Sequence, residues 1–412
     1  MRRHRVWWVF VLSLSCPRAF AAPNPSRDVG AIVDASLMLA RKICGRLPGR
    51  DLFFSPASIS VALAMVHAGA RGATARQLAQ VLAPGLPPPR MHPAHKQLLS
   101  TLNGAARGKV QLDLASALWG QTGHTFDPSF VELIRSSYSG GLEQVDFAQP
   151  SAAATINRWV RTKTRGMIVG LIPGTLDEQT RLMLTSAVYF KGAWQTRFPD
   201  ATTRDAPFNL AGGKRLKVPM MHVTASLRYR RIGALEVLEL PYRGGQLSML
   251  ILLPRAVGRT ASIESYLDPA RLRALVRSLP RREVEVFFPR FSATLDLPLM
   301  DLLRAMGIKD AFTSGANFSG MDGTRQLFLT AALHRARVEV NEEGTEAAAV
   351  TAFQMEAMEG ESHPRPPVFR ADRPFVYLIR ERRSGSVLFV GRLMQPPGAL
   401  LGPEPLKPRT MD

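Results

Sequence analysis

Only two of the 412 residues are cysteine, Cys16 and Cys44, so a disulfide framework is excluded. A chain of this length can bury enough apolar surface to stand without one. Acidic residues are also scarce: 33 Asp and Glu face 53 Lys and Arg, leaving a formal charge of +20. That surplus favours polyanionic partners, whether glycosaminoglycan, nucleic acid or anionic membrane, without choosing among them. Familiar catalytic signatures are missing as well. There is no G-x-S-x-G elbow, H-E-x-x-H, Walker loop, G-x-G-x-x-G or C-x-x-C. This lowers an enzymatic reading without removing it, because triads assemble from distant positions. His92 and His95 are spaced like metal ligands, but they stand in a proline-bearing stretch with no third ligand nearby. They are read as surface residues, and no metal or cofactor is expected. No apolar run reaches the length needed to span a bilayer.

What is present begins with a basic start, Arg2, Arg3 and Arg5, followed by the apolar run Val6 to Leu14 and then Ala19-Phe20-Ala21. This is the pattern of a secretory signal over residues 1–21, which predicts an extracellular protein. Cys16 would leave with it, and Cys44, between Ile43 and Gly45 at the end of a helical pattern, reads as a small buried hydrophobe. Ser55-Pro56-Ala57-Ser58 opens a helix in which Ile59, Ala62 and Val66 recur at helical spacing. Pro84 to Pro89 reads as a loop. Leu184–Phe190, Leu247–Leu253 and Val284–Phe288 read as strands, the second buried on both faces. The mixture predicts an α+β domain over 22–396, with a tail at 397–412 too rich in proline to order.

Residues 342 to 350 read Glu-Glu-Gly-Thr-Glu-Ala-Ala-Ala-Val. Composition alone favours a helix here. Yet Val338-Glu339-Val340 before it alternates like a strand, and Gly360, Pro364, Pro366 and Pro367 follow. The segment resembles the proximal hinge of inhibitory serpins, and the likeness runs through the chain. It includes Phe53-Phe54-Ser55-Pro56, Ala187 to Trp194, Val218-Pro219-Met220-Met221 and Leu238 to Tyr242. Further matches are Asn317-Phe318-Ser319-Gly320-Met321, Asp372-Arg373-Pro374-Phe375 and Leu388 to Arg392. The stretch from Ile156 to Asp200 is most similar to plasminogen activator inhibitor type 1 and the protease nexins.

The resemblance implies the serpin fold, three β-sheets with about nine helices and an exposed reactive-centre loop at about 342–367. A target serine protease would cut that loop, and the freed segment would insert into the large sheet as a new strand. The protease is then trapped in a covalent 1:1 complex with an inhibitor that is a monomer and not an enzyme. In that scheme Glu342, Glu343, Gly344, Thr345, Glu346, Ala347, Ala348 and Ala349 form the hinge. Gly344 is a backbone pivot, and the three alanines leave room between strands about 4.8 Å apart. Glu342 would lie sixteen residues before the residue donating the scissile carbonyl, which places the cut between Met358 and Glu359. Methionine suits the apolar pocket of an elastase-like or chymotrypsin-like protease. It departs from the arginine bait of the activator-inhibitor branch, and would leave the buried carboxylate of a trypsin-like pocket unpaired.

The resemblance also implies a shutter at Ser55, Ser58 and His334, and a breach at Trp194. Ser186 stands where relatives hold asparagine, which predicts a smaller or wetter hydrogen-bond network. Lys96 matches a basic position of the helix that binds heparin in related inhibitors, with Arg90, Arg107 and Lys109 as helpers, although Ser100 replaces a lysine. Heparin or a similar glycosaminoglycan is therefore an expected modulator. Asn317-Phe318-Ser319 is an N-glycosylation sequon. The rival reading is a non-inhibitory carrier or chaperone on the same fold.

Overall fold

The computed structural model describes residues 25–107, 110–138, 141–345, 365–397 and 400–401. Residues 1–21, and the loop from Glu346 through Met358 and Glu359, lie outside them. Among the described residues are nine α-helices, three short 3₁₀ helices and sixteen strands, an α+β architecture.

Helix Pro56–Gly69 shows how local sequence sets an element. Ser55 is extended, and its hydroxyl accepts the Ser58 N–H at 3.1 Å, while Pro56 occupies a first-turn position that has no N–H to lose. Every residue of this helix is buried, because it packs against strands of both sheets and against the surrounding helices. The loop expected at Pro84–Pro89 holds as far as Pro87, and the same first-turn logic corrects its end: Pro88 and Pro89 open helix Pro88–Ala106. His92 and His95 consequently sit on a helix facing inward rather than on the surface. His95 is fully buried, and the His92 Nδ1 lies 2.5 Å from the Tyr138 hydroxyl.

The functional sheet runs Phe291–Pro298, Ala331–Val340, Leu182–Ala193, Val110–Gln121, Gly141–Val145. Its centre is a parallel pair, Ala331–Arg337 beside Met183–Tyr189, flanked by an antiparallel strand on each side. Strand Ala331–Val340 alternates strictly, with His334, Ala336, Val338 and Val340 buried and the odd-numbered residues half-exposed. Helix Ala152–Lys163 packs Ile156 and Val160 against Ala115, Ala117, Met183 and Ala187 on the opposite face from helix Pro56–Gly69.

Gly344–Thr345 adds a sixth strand to the functional sheet, and the other ten strands form one connected sheet. Two of the three expected sheets are continuous because strand Arg215–Ile232 serves both. Met220–Arg228 pairs with Arg281–Pro289, and Arg228–Ile232 pairs with Leu235–Pro241. The expected strand Leu247–Pro254 is buried at every position, held between Leu235–Pro241 and Phe375–Glu381. Beyond residue 396 the chain does not simply trail off: Leu400–Leu401 pairs antiparallel with Lys217 and Leu216, correcting that part of the expected disordered tail. Cys44 is buried, and burial pushes its thiol up to about 12, as a small core residue requires. None of the described helices is long and apolar enough to cross a membrane.

Candidate functional site: the hinge and the sheet seam

Strand Ala331–Val340 stops at Asn341, whose side-chain oxygen accepts the N–H groups of Glu343 and Gly344 at 3.2 Å each. The chain then doubles back, and Gly344 and Thr345 pair antiparallel with Ala193 and Gly192. Gly344 takes φ +143°, where a Cβ would lie 2.2 Å from the Gly192 carbonyl oxygen and 2.6 Å from the Ala193 Cα. Only glycine fits this approach of backbone to backbone. The turn is fastened at each residue. Trp194 donates its N–H to Glu343 O at 2.9 Å and its indole N–H to Asn341 O at 3.0 Å, while its ring stacks on Tyr242 at 4.6 Å. Glu343 accepts from Arg197 at 2.6 Å.

Glu342 is buried, with its carboxylate held by Arg290 and by the Thr203 hydroxyl at 2.6 Å. Burial alone would raise its pKa, but the hydrogen bonds from Arg290 and Thr203 outweigh burial and hold it below the usual carboxylate value. The segment expected to act as the hinge is therefore anchored at Glu342 and already strand-like at Gly344–Thr345. It stands where the parallel pairing of the central strands has ended, at Arg337 and Tyr189.

A second cluster lies under the middle of the same seam. Ser116, Ser186 and His334 stand side by side in register across three strands. His334 Nε2 accepts the Ser55 N–H at 3.0 Å, so its Nδ1 carries the proton and donates to Ser186 Oγ at 3.1 Å. Ser186 and Ser58 lie 2.7 Å apart, and Ser58 reaches Ser116 at 3.4 Å. The expected residues do meet, and Ser116 joins them as a further member of the network. Burial of the ring, opposed only weakly by Ser186, pulls the His334 pKa down to about 3, so the imidazole is neutral.

The sequence pattern of the family described as Serpin (serine protease inhibitor) matches residues 31–396. The chain is a serpin. It is 40% identical over 364 residues to the leukocyte elastase inhibitor of Bos taurus, covering 85% of this chain and 94% of that one. Among solved structures it resembles human thyroxine-binding globulin in complex with thyroxine, with TM-score 0.82 and 29% identity over 90% of this chain and all of that one. Native protease nexin-1 with heparin matches at TM-score 0.79, with the same identity and coverage. Equal identity to these two structures does not single out the nexin branch.

Elsewhere in this serpin the expected residues scatter. Arg90 is engaged by Asp28, with one hydrogen bond at 2.8 Å. Lys96 and Arg107 are exposed but about 16 Å apart along the helix axis, and Lys109 lies outside the described residues. Asn317 is half-exposed, its side-chain oxygen accepting the Ser319 hydroxyl at 2.8 Å. Sequence reasoning missed Asn341, Ser116, Arg290, Thr203 and Arg197. The side-chain partners of Ser116, Arg290, Thr203 and Arg197 are distant in the chain, whereas Asn341 caps its own turn through Glu343 and Gly344, a local signal that was passed over. Gly192 and Tyr242 lay within the motifs quoted above, where the family pattern was their only signal.

Proposed function

We propose that this serpin is a secreted suicide-substrate inhibitor of serine proteases, cleaved between Met358 and Glu359. The observation that carries the reading is the Gly344–Thr345 pairing at the open end of the parallel seam. A strand continuing from Thr345 in the same direction would run antiparallel to both central strands. It would replace one parallel ladder with two antiparallel ones, which are slightly more stable per residue. Ala347, Ala348 and Ala349 are next to enter, and they present little bulk. On this reading Trp194 guards the start of insertion, and the Ser58, Ser186 and His334 cluster must part for it to continue. The protease serine attacks the Met358 carbonyl carbon, the amine of Glu359 leaves, and insertion carries the acylated protease away before water can free it. The apolar bait and the likeness to a leukocyte elastase inhibitor both support an elastase-like or chymotrypsin-like target. The test is incubation with elastase-like, chymotrypsin-like and trypsin-like proteases. An SDS-stable 1:1 complex and a released C-terminal peptide beginning at Glu359 are expected. Cleavage at that bond with release of active protease would favour the carrier reading, and a peptide starting elsewhere would move the bait.

A further inference from the structure

The family pattern ends at residue 396, yet the chain continues to Asp412. In this added tail Leu400 and Leu401 form a short strand against Lys217 and Leu216. What that strand does follows from how strand Arg215–Ile232 meets its other neighbours. Strand Arg204–Asn209 covers one flank of the stretch from Arg215 to Met220, and the two make a hairpin. On the other flank, strand Arg281–Pro289 stops at Pro289, opposite Met220. The chain then crosses at Arg290 into the functional sheet, where Phe291 faces Val340. Past this crossover only the tail pairs with that flank among the described residues.

Successive residues of a strand turn their N–H and C=O groups alternately to its two neighbours. The Pro219 carbonyl accepts the Arg290 N–H at 2.9 Å, and the Lys214 carbonyl accepts the Leu210 N–H at 2.8 Å. Odd-numbered residues here therefore face the crossover flank, and even-numbered ones face strand Arg204–Asn209. Pro207, with no N–H to give, stands opposite Lys217, as that alternation requires. Lys217 thus turns both backbone groups to the flank that the tail occupies, where Leu400 meets it, while Leu216 turns to Phe208. Without the tail this flank is a bare edge, and the hairpin is a two-stranded ribbon, which is marginal by itself. The hairpin supports both groups that hold the Glu342 carboxylate. Thr203, immediately before Arg204, donates its hydroxyl at 2.6 Å, and Arg290, bonded through its N–H to Pro219, supplies its guanidinium. Leu400 pairs two residues along the strand from Pro219, about 7 Å away.

We propose that the tail is a strap. Leu400–Leu401 closes the open flank of the hairpin and so keeps Thr203 and Arg290 in place on Glu342; trimming or displacing the tail loosens the chain where it leads into Gly344. The strap acts in the uncleaved protein and does not depend on protease inhibition, so it is read with no protease present. The measurement is amide hydrogen exchange at single-residue resolution on the intact protein. Leu400→Pro removes the N–H that meets the Lys217 carbonyl and unpairs the strand. Exchange at the Lys217 amide should quicken about fivefold or more, as loss of one edge hydrogen bond implies. The Arg290 amide, bonded to Pro219, and the Phe198 amide, bonded to the Glu342 carbonyl at 3.0 Å, should follow. Each should quicken by at least about twofold. Leu401→Pro is the matched control: its N–H points away from Leu216, so all three amides should change by less than about twofold. Unchanged Lys217 exchange in Leu400→Pro, or an equal effect of Leu401→Pro, overturns the strap. Faster exchange at Lys217 with Arg290 and Phe198 unmoved overturns its hold on Glu342.

Discussion

At the scale of single residues, the hinge depends on Gly344 in a way that can be measured. Alanine there would place its methyl against the Gly192 carbonyl oxygen at φ +143°, so the Gly344–Thr345 pairing must open. Gly344→Ala should leave cleavage at Met358 intact while a larger share of cleavage events releases active protease. A titration of inhibitor against protease should show the stoichiometry rising several-fold; an unchanged stoichiometry would mean the hinge pairing contributes nothing to trapping. Ser186 is the second such residue. Ser186→Ala leaves His334 Nδ1–H and the Ser58 hydroxyl each short of a partner in a buried place. The cost should be about 1–3 kcal/mol, read from denaturant unfolding, and a loss under about 0.5 kcal/mol would show that Ser116 compensates.

At the scale of elements, helix Pro88–Ala106 is joined to helix Pro56–Gly69 by a histidine cluster with a definite pH dependence. His67 has both ring nitrogens unpartnered and buried, and its ring lies 5.6 Å from that of His92. His95 sits between Ser60 Oγ at 3.2 Å and the Met91 carbonyl at 2.9 Å. Burial, with smaller contributions from neighbouring charge, draws His92 and His95 down to about 4 and lowers His67 as well. These rings are neutral in the fold but protonate near 6.5 once unfolded, so the unfolded chain binds more protons as pH falls. Stability is therefore full above about pH 6.5 and declines from there toward pH 4, each fully buried ring contributing a slope of about 1.4 kcal/mol per pH unit. Thermal midpoints between pH 7 and 4.5 should fall steeply, and less steeply in a His92→Phe variant; parallel curves would show that other groups govern the acid response.

At the scale of the whole molecule, the proposed insertion of the loop into the sheet would make its cleavage a stabilising event. Insertion from Thr345 toward Met358 would add strand hydrogen bonds at about 1 kcal/mol each, on the order of 10 kcal/mol in all. Cleaved protein should melt at least about 10 °C above intact protein. Ala348→Arg, which puts a charge where the strand enters, should abolish that gain and turn the inhibitor into a substrate. A wild-type protein whose cleaved form melts at or below the intact form would place it with the carriers.

The sequence by itself determined whatever is local or carried by the family pattern. The Ser55 cap and Pro56 dictate a helix start through backbone chemistry. The alternation in Ala331–Val340 dictates which face is buried, and the glycine at 344 marks a turn no other residue can make. Tertiary structure alone decided what each charge and polar group meets. Arg90 was expected to face a polyanion, but a helix packed beside it supplies Asp28; the same folding brings Glu342 to Arg290 and His67 to His92. It also sets Arg228, Arg380 and Arg382 around the one buried Glu239. The reason is physical: a helix or strand follows from neighbours a few residues away, whereas an ion's partner is set by which distant surfaces the core brings together. Along the sequence, an arginine beside a carboxylate and one facing water look the same.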